Sequence, residues 1–191
     1  VAPGRGGAFD AVIEELDAAG YAAAIPALAA LLVDAVEGGA SVNFIAGVTV
    51  EEAAAWWAER IAQVADGTIA VLVARDRASG TLVGSTILIR SPNPNSRHRA
   101  EVGKVIVHRS VRRQGLGRAL MAAIEARARA DGRWLLILDT TAGTAADALY
   151  RSMGWQVLGT MPNHAYTAGG VLSDTTYFWK DLRDPVETDE A

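Results

Sequence analysis

Two glycines and three arginines stand together in "VRRQGLGR" (111–118), between the apolar run Val105–Val107 and an amphipathic stretch. Gly115 and Gly117 carry no side chain, so a ligand can come close to the backbone there. They open a helix expected over Leu116–Ala130. The first amides of a helix have no internal acceptors, and that end of its dipole is positive. Such a corner suits an anion, above all a phosphate. Arg112, Arg113 and Arg118 add formal charge beside it. Asp139 ends the apolar run "RWLLILD", where a charge is costly unless it is used or paired. Strand ends are also where ligands collect in an α/β crevice. The alternative is that Asp139 caps the turn that follows, "DTTAG". His108 is the group whose ordinary range lies nearest neutrality. Its place beside the glycines suggests a supporting role rather than a catalytic one.

The glycines have rival readings. The bland one is a simple turn with solvated arginines. A dinucleotide-binding Rossmann site gains support from Asp139, about 20 residues further on. It is opposed by Leu120 at the third glycine position and by the glycines' beginning seven residues after His108 rather than directly off the strand. A Walker P-loop fails because no Gly-Lys-Ser/Thr follows.

Composition closes other routes. The chain has 191 residues, a net charge of −4 and no cysteine. Disulfides, thiolate metal sites and a thiol nucleophile are excluded. His98, His108 and His164 share no ligand spacing, so no metal is expected. The acidic balance gives no bulk attraction for nucleic acid or an anionic membrane. No apolar run is expected to reach the roughly 18 residues of a membrane span. The opening "VAPGRGG" lacks the segments of a secretory signal. It has no methionine, as expected if the natural start has been removed. A cytoplasmic location is expected.

The elements that must position these residues follow from periodicity. Residues 8–37 have helical spacing, with Gly20 and Pro26 expected to divide them into two helices. Thr49 caps a further helix whose stripe runs Val50, Ala53, Ala54, Trp57, Ile61 and Val64. Trp57 fits that stripe. Trp56 lies about 100° away and is left for a second contact, such as a binding cleft. "TIAVLVAR" and "TLVGSTILIR" form a hairpin around "DRASG". "SPNPNSRHR" is a polar loop, and "AEVGKVIVH" (100–108) a third strand. "RWLLILD" is a central buried strand. "TAADALYRSMG" is a short helix ending at Gly154. "WQVLGTM" and "TTYFWKDL" are the last strands. The sequence therefore reads as one α+β domain over 1–191, with 1–7 and 183–191 frayed.

In this setting "VHRSVRRQGLGRAL" resembles the coenzyme A signature of the GCN5-related N-acetyltransferases, the GNAT superfamily. That pattern is Arg/Gln-x-x-Gly-x-Gly/Ala, here Arg112, Gly115 and Gly117. "ALYRSMGW" (148–155) resembles the family's helix and turn after its fifth strand. The resemblance covers roughly residues 49–181. Within the superfamily, "HRAEVGKVIVH", "LILDTTAGTAADALYRSMGW" and "TTYFWKDL" resemble the tabtoxin resistance protein and its relatives, acetyltransferases of small molecules.

The resemblance implies the GNAT fold, a mixed and mostly antiparallel central sheet. Its fourth and fifth strands run parallel and splay apart, flanked by helices. It implies acetyl-CoA as acyl donor, with the pantetheine arm against Val105, Ile106 and Val107. The diphosphate would meet the amides of Arg113, Gln114, Gly115, Leu116, Gly117 and Arg118, while Arg112 steadies the loop or reaches a phosphate. An amine would attack the thioester directly. Tyr150 is then the expected acid, since a phenol with a reference pKa of about 10 can protonate a thiolate. Asp139 and Glu101 are the expected bases. By strand alternation Glu101 should share a face with Gly103, Val105 and Val107. The family's asparagine after the fifth strand is missing, and Thr140, Thr141 or Asp147 stand where it would be. Phe44, Trp56, Asn93, Arg97 and Tyr166 are expected around the acceptor, a small molecule such as an amino-acid-like metabolite or an antibiotic. A homodimer is compatible with the apolar helices and the last strand. A coenzyme A sensor without catalysis and a protein N-acetyltransferase are the alternatives.

Overall fold

The computed structural model describes residues 9–183; of the ends expected to fray, 1–7 and 183–191, all but Arg183 lie outside the described residues. Seven strands form one sheet in the order β1-β2-β3-β4-β5-β7-β6. They are β1 (Ala11–Glu15), β2 (Ile69–Asp76), β3 (Leu82–Arg90), β4 (Arg99–Val107), β5 (Leu135–Thr141), β6 (Gln156–Tyr166) and β7 (Leu172–Asp181). Five helices flank it: α1 (Ala18–Glu37), α2 (Val50–Ala58), α3 (Ile61–Ala65), α4 (Leu116–Ala130) and α5 (Ala145–Ser152). Every neighbouring pair is antiparallel except β4 with β5, which is parallel. The expected fold is therefore the observed one.

The sheet is covered on both faces. α1 and α2 pack on one face around Tyr21, Leu28, Leu32, Trp57, Val71 and Val73. α4 and α5 cover the other, around Leu88, Met121, Ile124, Leu136, Leu138 and Phe178. β2 and β3 are buried on both faces, which explains their nearly continuous apolar runs.

Three expectations about the first half are corrected. Residues 11–15 form an edge strand paired with Ala11↔Asp76 through Glu15↔Leu72, not a helix. Its short alternation "AVIEE" is too brief to stand out from the alanine-rich helix behind it. α1 is one helix of 20 residues with Pro26 inside it. An interior proline costs about 3 kcal/mol. Eight buried side chains on α1 offset this, at roughly 1.5–3 kcal/mol for each fully buried large one. Gly20 sits in its first turn, where its amide donates to the cap Asp17 at 2.7 Å. α1 is also long and apolar enough to span a membrane, with a mean hydropathy of 1.8. In this fold 44% of that window is buried in the protein interior. The Thr49 helix, capped by a Thr49–Glu52 box, breaks at Glu59–Arg60 into α2 and α3.

Candidate active site

β4 and β5 pair only at Arg99↔Leu135, Ala100↔Leu136 and Glu101↔Ile137. Beyond that both strands continue without each other, β4 to Val107 and β5 to Thr141. The sheet thus forks, with Glu101 as the last paired residue of β4. Its cause is visible in β4. Ser85 pairs with Ile106 and Ile87 with Gly103, so Lys104 and Val105 together face the single residue Thr86. This is a β-bulge, which bends and twists its strand. Lys104 takes φ +49°, in the left-handed region. Buried hydroxyls of β3 satisfy the carbonyls the bulge displaces: Ser85 donates to Lys104 O at 3.2 Å and Thr86 to Gly103 O at 3.4 Å.

The bulge reverses the phase of β4. Ala100 and Val102 face α4 and α5 before it, while Val105 and Val107 face that side after it and Ile106 faces α1. Glu101 therefore does not share a face with Val105 and Val107, as simple alternation predicts. It shares one with Gly103 and Ile106, toward α1 and α2.

At the open end of the fork lies the loop from β4 to α4, where the anion corner is expected. Among the described residues, no backbone amide from Arg112 to Arg118 donates to a protein acceptor; the next bond is Ala119 N to Gly115 O. Arg113 (φ +62°) and Gly115 (φ +82°) both adopt left-handed backbone, which turns successive amides toward one side. Nothing lies within 4 Å of where a Gly115 side chain would begin. Gly117 is close-packed instead, its missing Cβ 3.4 Å from Leu149 and 3.8 Å from Val107. Leu116 is buried and anchors the first turn of α4. Arg112 donates to Val107 O at 3.0 Å and to Gly38 O at 3.5 Å, so it braces the loop. Arg118 reaches Ser152 on α5 at 2.7 Å, and Arg113 and Gln114 are exposed. His108 meets Ser110 at 2.7 Å and Asp34 at 3.3 Å, tying the loop to α1 away from the fork.

Tyr150 lies on α5, against the part of the sheet that β5 and β7 form. Its ring is 5% exposed and packs against Phe178 and Trp155 at 5.8 and 6.2 Å between centroids. Among the described residues, the sealed side-chain polar atoms without partners are Trp57 Nε1 and Arg133 Nε; the Tyr150 hydroxyl is not one of them and has no hydrogen-bond partner there. Burial, and then the charge of Asp139, push its pKa far up and keep the phenol protonated. Asp139 is exposed on β5 and, among the described residues, caps nothing; the following turn is held by Thr144 and Asp147. Desolvation by the surrounding protein, and then the charge of Asp139, raise the pKa of Glu101, although the residue as a whole is exposed. Asp147 is unavailable as a substitute for the family's asparagine. Its carboxylate accepts from Gly143 N at 3.1 Å, Thr176 Oγ1 at 3.1 Å and Arg151.

On the α1 side the structure adds a residue that the sequence reading missed. Lys104 Nζ donates to Val42 O at 3.0 Å and stands 4.5 Å over the Trp56 ring. Burial, then the charge of Arg60, bring its pKa down to about 8. Trp56 also meets Phe44 edge-on at 6.1 Å and carries Arg60 at 3.3 Å. Trp57 is fully buried. The two indoles separate as their 100° offset requires. Tyr166 closes this side through the hairpin tip, with Ser41 donating to its carbonyl at 3.5 Å and Ala46 to Ala168 O at 2.8 Å. Asn93 and Arg97 do not join it. Their loop packs at the closed end of β4 and β5, where Leu135 N donates to His98 O at 3.1 Å and Arg133 to the Arg97 carbonyl. Two concavities, of about 460 Å³ beside Glu14–Asp17 and about 330 Å³ at Leu158–Pro162, lie away from the fork.

Known proteins share this architecture. Residues 66–157 match the model of the acetyltransferase (GNAT) domain family. A ribosomal-protein-alanine N-acetyltransferase from Brucella melitensis is 31% identical over 90% of this chain and 99% of its own, with a TM-score of 0.70. A phosphinothricin acetyltransferase from Sinorhizobium meliloti, solved with acetyl-CoA, is 19% identical over 93% and 94%, with a TM-score of 0.74. yncA of Salmonella typhimurium, also solved with acetyl-CoA, is 23% identical over 95% and 99%, with a TM-score of 0.71.

Proposed function

The chain belongs to the GNAT family of acetyltransferases, and from that premise we propose that it moves an acetyl group from acetyl-CoA to the amine of a small molecule. The observation that carries this reading is the fork: two parallel strands that lose each other just beyond Glu101, beside seven amides without acceptors among the described residues. The unpaired side of β4 can take an extended pantetheine arm as a sheet takes an added strand. Of the expected contacts, Val107 O is already engaged by Arg112, which leaves Val105 and Ile106 as the freer backbone. The amides of Arg113, Gln114, Gly115, Leu116, Gly117 and Arg118 suit the diphosphate, and the open space at Gly115 suits its close approach.

Acetyl-CoA supplies an activated thioester and a thiolate leaving group. The chain's residues handle protons. Asp139 and Glu101, on the α1 face, hold the acceptor's ammonium and take its proton at a carboxylate oxygen. The elevated pKa of Glu101 makes it a stronger base than an ordinary carboxylate. The Tyr150 hydroxyl, on the opposite side of the fork, offers its proton to the departing sulfur. Its raised pKa makes it a hydrogen-bond donor first and an acid second.

The acceptor is a small amine such as an amino-acid-like metabolite, and modification of an amine-bearing antibiotic is a role of the same chemistry. The triplet Glu101, Asp139 and Tyr150 supports the likeness to the tabtoxin-resistance subgroup. A second reading, acetylation of a protein N-terminus, is favoured by the relative from Brucella melitensis. The test is to incubate the protein with acetyl-CoA and, in parallel, free amino acids, amine antibiotics and an alanyl peptide, following thiol release. Turnover with a small amine supports the first reading and turnover with the peptide alone supports the second. Binding of acetyl-CoA without any turnover would leave a coenzyme sensor. No binding and no turnover would end the proposal.

A further inference from the structure

The cationic half of the α1 face is unusual for a site that must hold an ammonium. Lys104 and Arg60 share one indole, at 4.5 and 3.3 Å from the Trp56 centroid. Among the described residues, Lys104 takes part in none of the salt bridges, and its one hydrogen bond is to a neutral carbonyl, Val42 O. Arg60 bonds to the Trp56 carbonyl and has Glu59 at 3.6 Å, on a side chain 74% exposed. Two like charges half-buried on one ring repel each other, and Arg60 contributes to the lowered pKa of Lys104. Packing alone does not call for this. Lys104 itself takes left-handed backbone inside a strand, a strained conformation that the Ser85 and Thr86 hydroxyls keep in place. Next to this pair stand the carboxylates of Glu101 and Asp139, whose fields also reach Lys104.

A cation pair beside an anion pair is the imprint of a zwitterion. We propose that Lys104 and Arg60, stacked on Trp56, bind an anionic group of the acceptor, so that the amine acetylated belongs to a molecule that also carries a carboxylate or a similar anion. This rests on the acetyltransferase reading above and narrows it. The ammonium lies toward Glu101 and Asp139, the anion lies between Lys104 and Arg60, and Trp56 and Phe44 exclude water around the ion pair.

The probes are free L-amino acids and their carboxamides, which keep the amine and delete the anion. Acetyl-CoA binding is first measured by calorimetry, then thiol release is followed with each acid and its amide. Binding of N-acetyl amino acids and their amides without any donor gives a readout independent of turnover. The proposal expects at least one acid to exceed its amide tenfold or more in kcat/KM, with the same order in the binding experiment. Lys104→Gln and Arg60→Gln should each bring that ratio toward one by raising the acceptor KM, with acetyl-CoA affinity unchanged. Lys104→Glu should invert it in favour of the amide, a result that a misfolded variant cannot produce. Acids and amides used equally, an unchanged ratio in both Gln variants, or transfer to alanyl peptides but to no free amino acid would overturn it while leaving acetyl transfer intact. Failure to bind acetyl-CoA would overturn both.

Discussion

Lys104→Met should make the protein more stable at neutral pH, and the size of the gain follows from the site. Lowering a lysine from its ordinary 10.5 to about 8 corresponds to about 3 kcal/mol, at about 1.4 kcal/mol per tenfold change in proton affinity. The sign follows from proton counts. Below pH 8 both folded and unfolded chains carry the proton, and the folded state bears the full cost. Between about 8 and 10.5 the unfolded chain binds more protons, so wild-type stability rises with pH. Methionine removes the charge at similar volume but loses the Val42 hydrogen bond, worth about 1 kcal/mol. The variant should therefore gain about 2 kcal/mol at pH 7, and above pH 10 the difference should shrink to nothing or reverse. The assay is guanidinium unfolding followed by tryptophan fluorescence, with fully buried Trp57 as a reporter, across pH 6.5 to 10.5 in about half-unit steps. A variant less stable than wild type at pH 7, or a difference that does not change with pH, would refute the claim that Lys104 is a charge held against its own preference.

Further outcomes follow from the fork. Tyr150→Phe keeps the packing against Phe178 and Trp155 and should lower kcat by about 100-fold with acetyl-CoA affinity unchanged; steady-state kinetics and calorimetry check it. The raised pKa of Glu101 should place the rising acid limb of kcat/KM above the ordinary carboxylate range, since the base works only after losing its proton. Glu101→Gln should abolish that limb, and Asp139→Asn, by removing a negative neighbour, should move it to lower pH; pH–rate profiles decide this. Gly115→Val forces a β-branched residue to φ +82° and should cost about 1–2 kcal/mol in unfolding, while weakening acetyl-CoA binding by filling the open corner.

The glycine corner, the parallel pair and the split between Trp56 and Trp57 are readable from residue type and period because each rests on local geometry. Glycines before an amphipathic run imply a helix start, and adjacent indoles cannot share one helical face. Non-local effects are harder to read. Pro26 stays inside α1 because tertiary burial outweighs its local penalty, and that burial involves strands 40 or more residues away. β1 is an edge strand with three of its five residues exposed, so its pattern is faint. The bulge at Lys104 matters most. One extra residue flips every side chain after it, which turns Val105 and Val107 away from the face of Glu101 and brings Lys104 beside Trp56. The available signal was Gly103–Lys104 in the middle of an apolar strand. A strand glycine marks a bulge, and a lysine beside it is where the phase changes.

The most direct measurement of the central claim is a crystal structure of the protein grown with acetyl-CoA. The diphosphate should lie on the amides of Arg113–Arg118, with the pantetheine along Val105–Val107 and the thioester between Tyr150 and Glu101. Electron density for the coenzyme elsewhere, or a fork closed by continued pairing of β4 and β5, would contradict it.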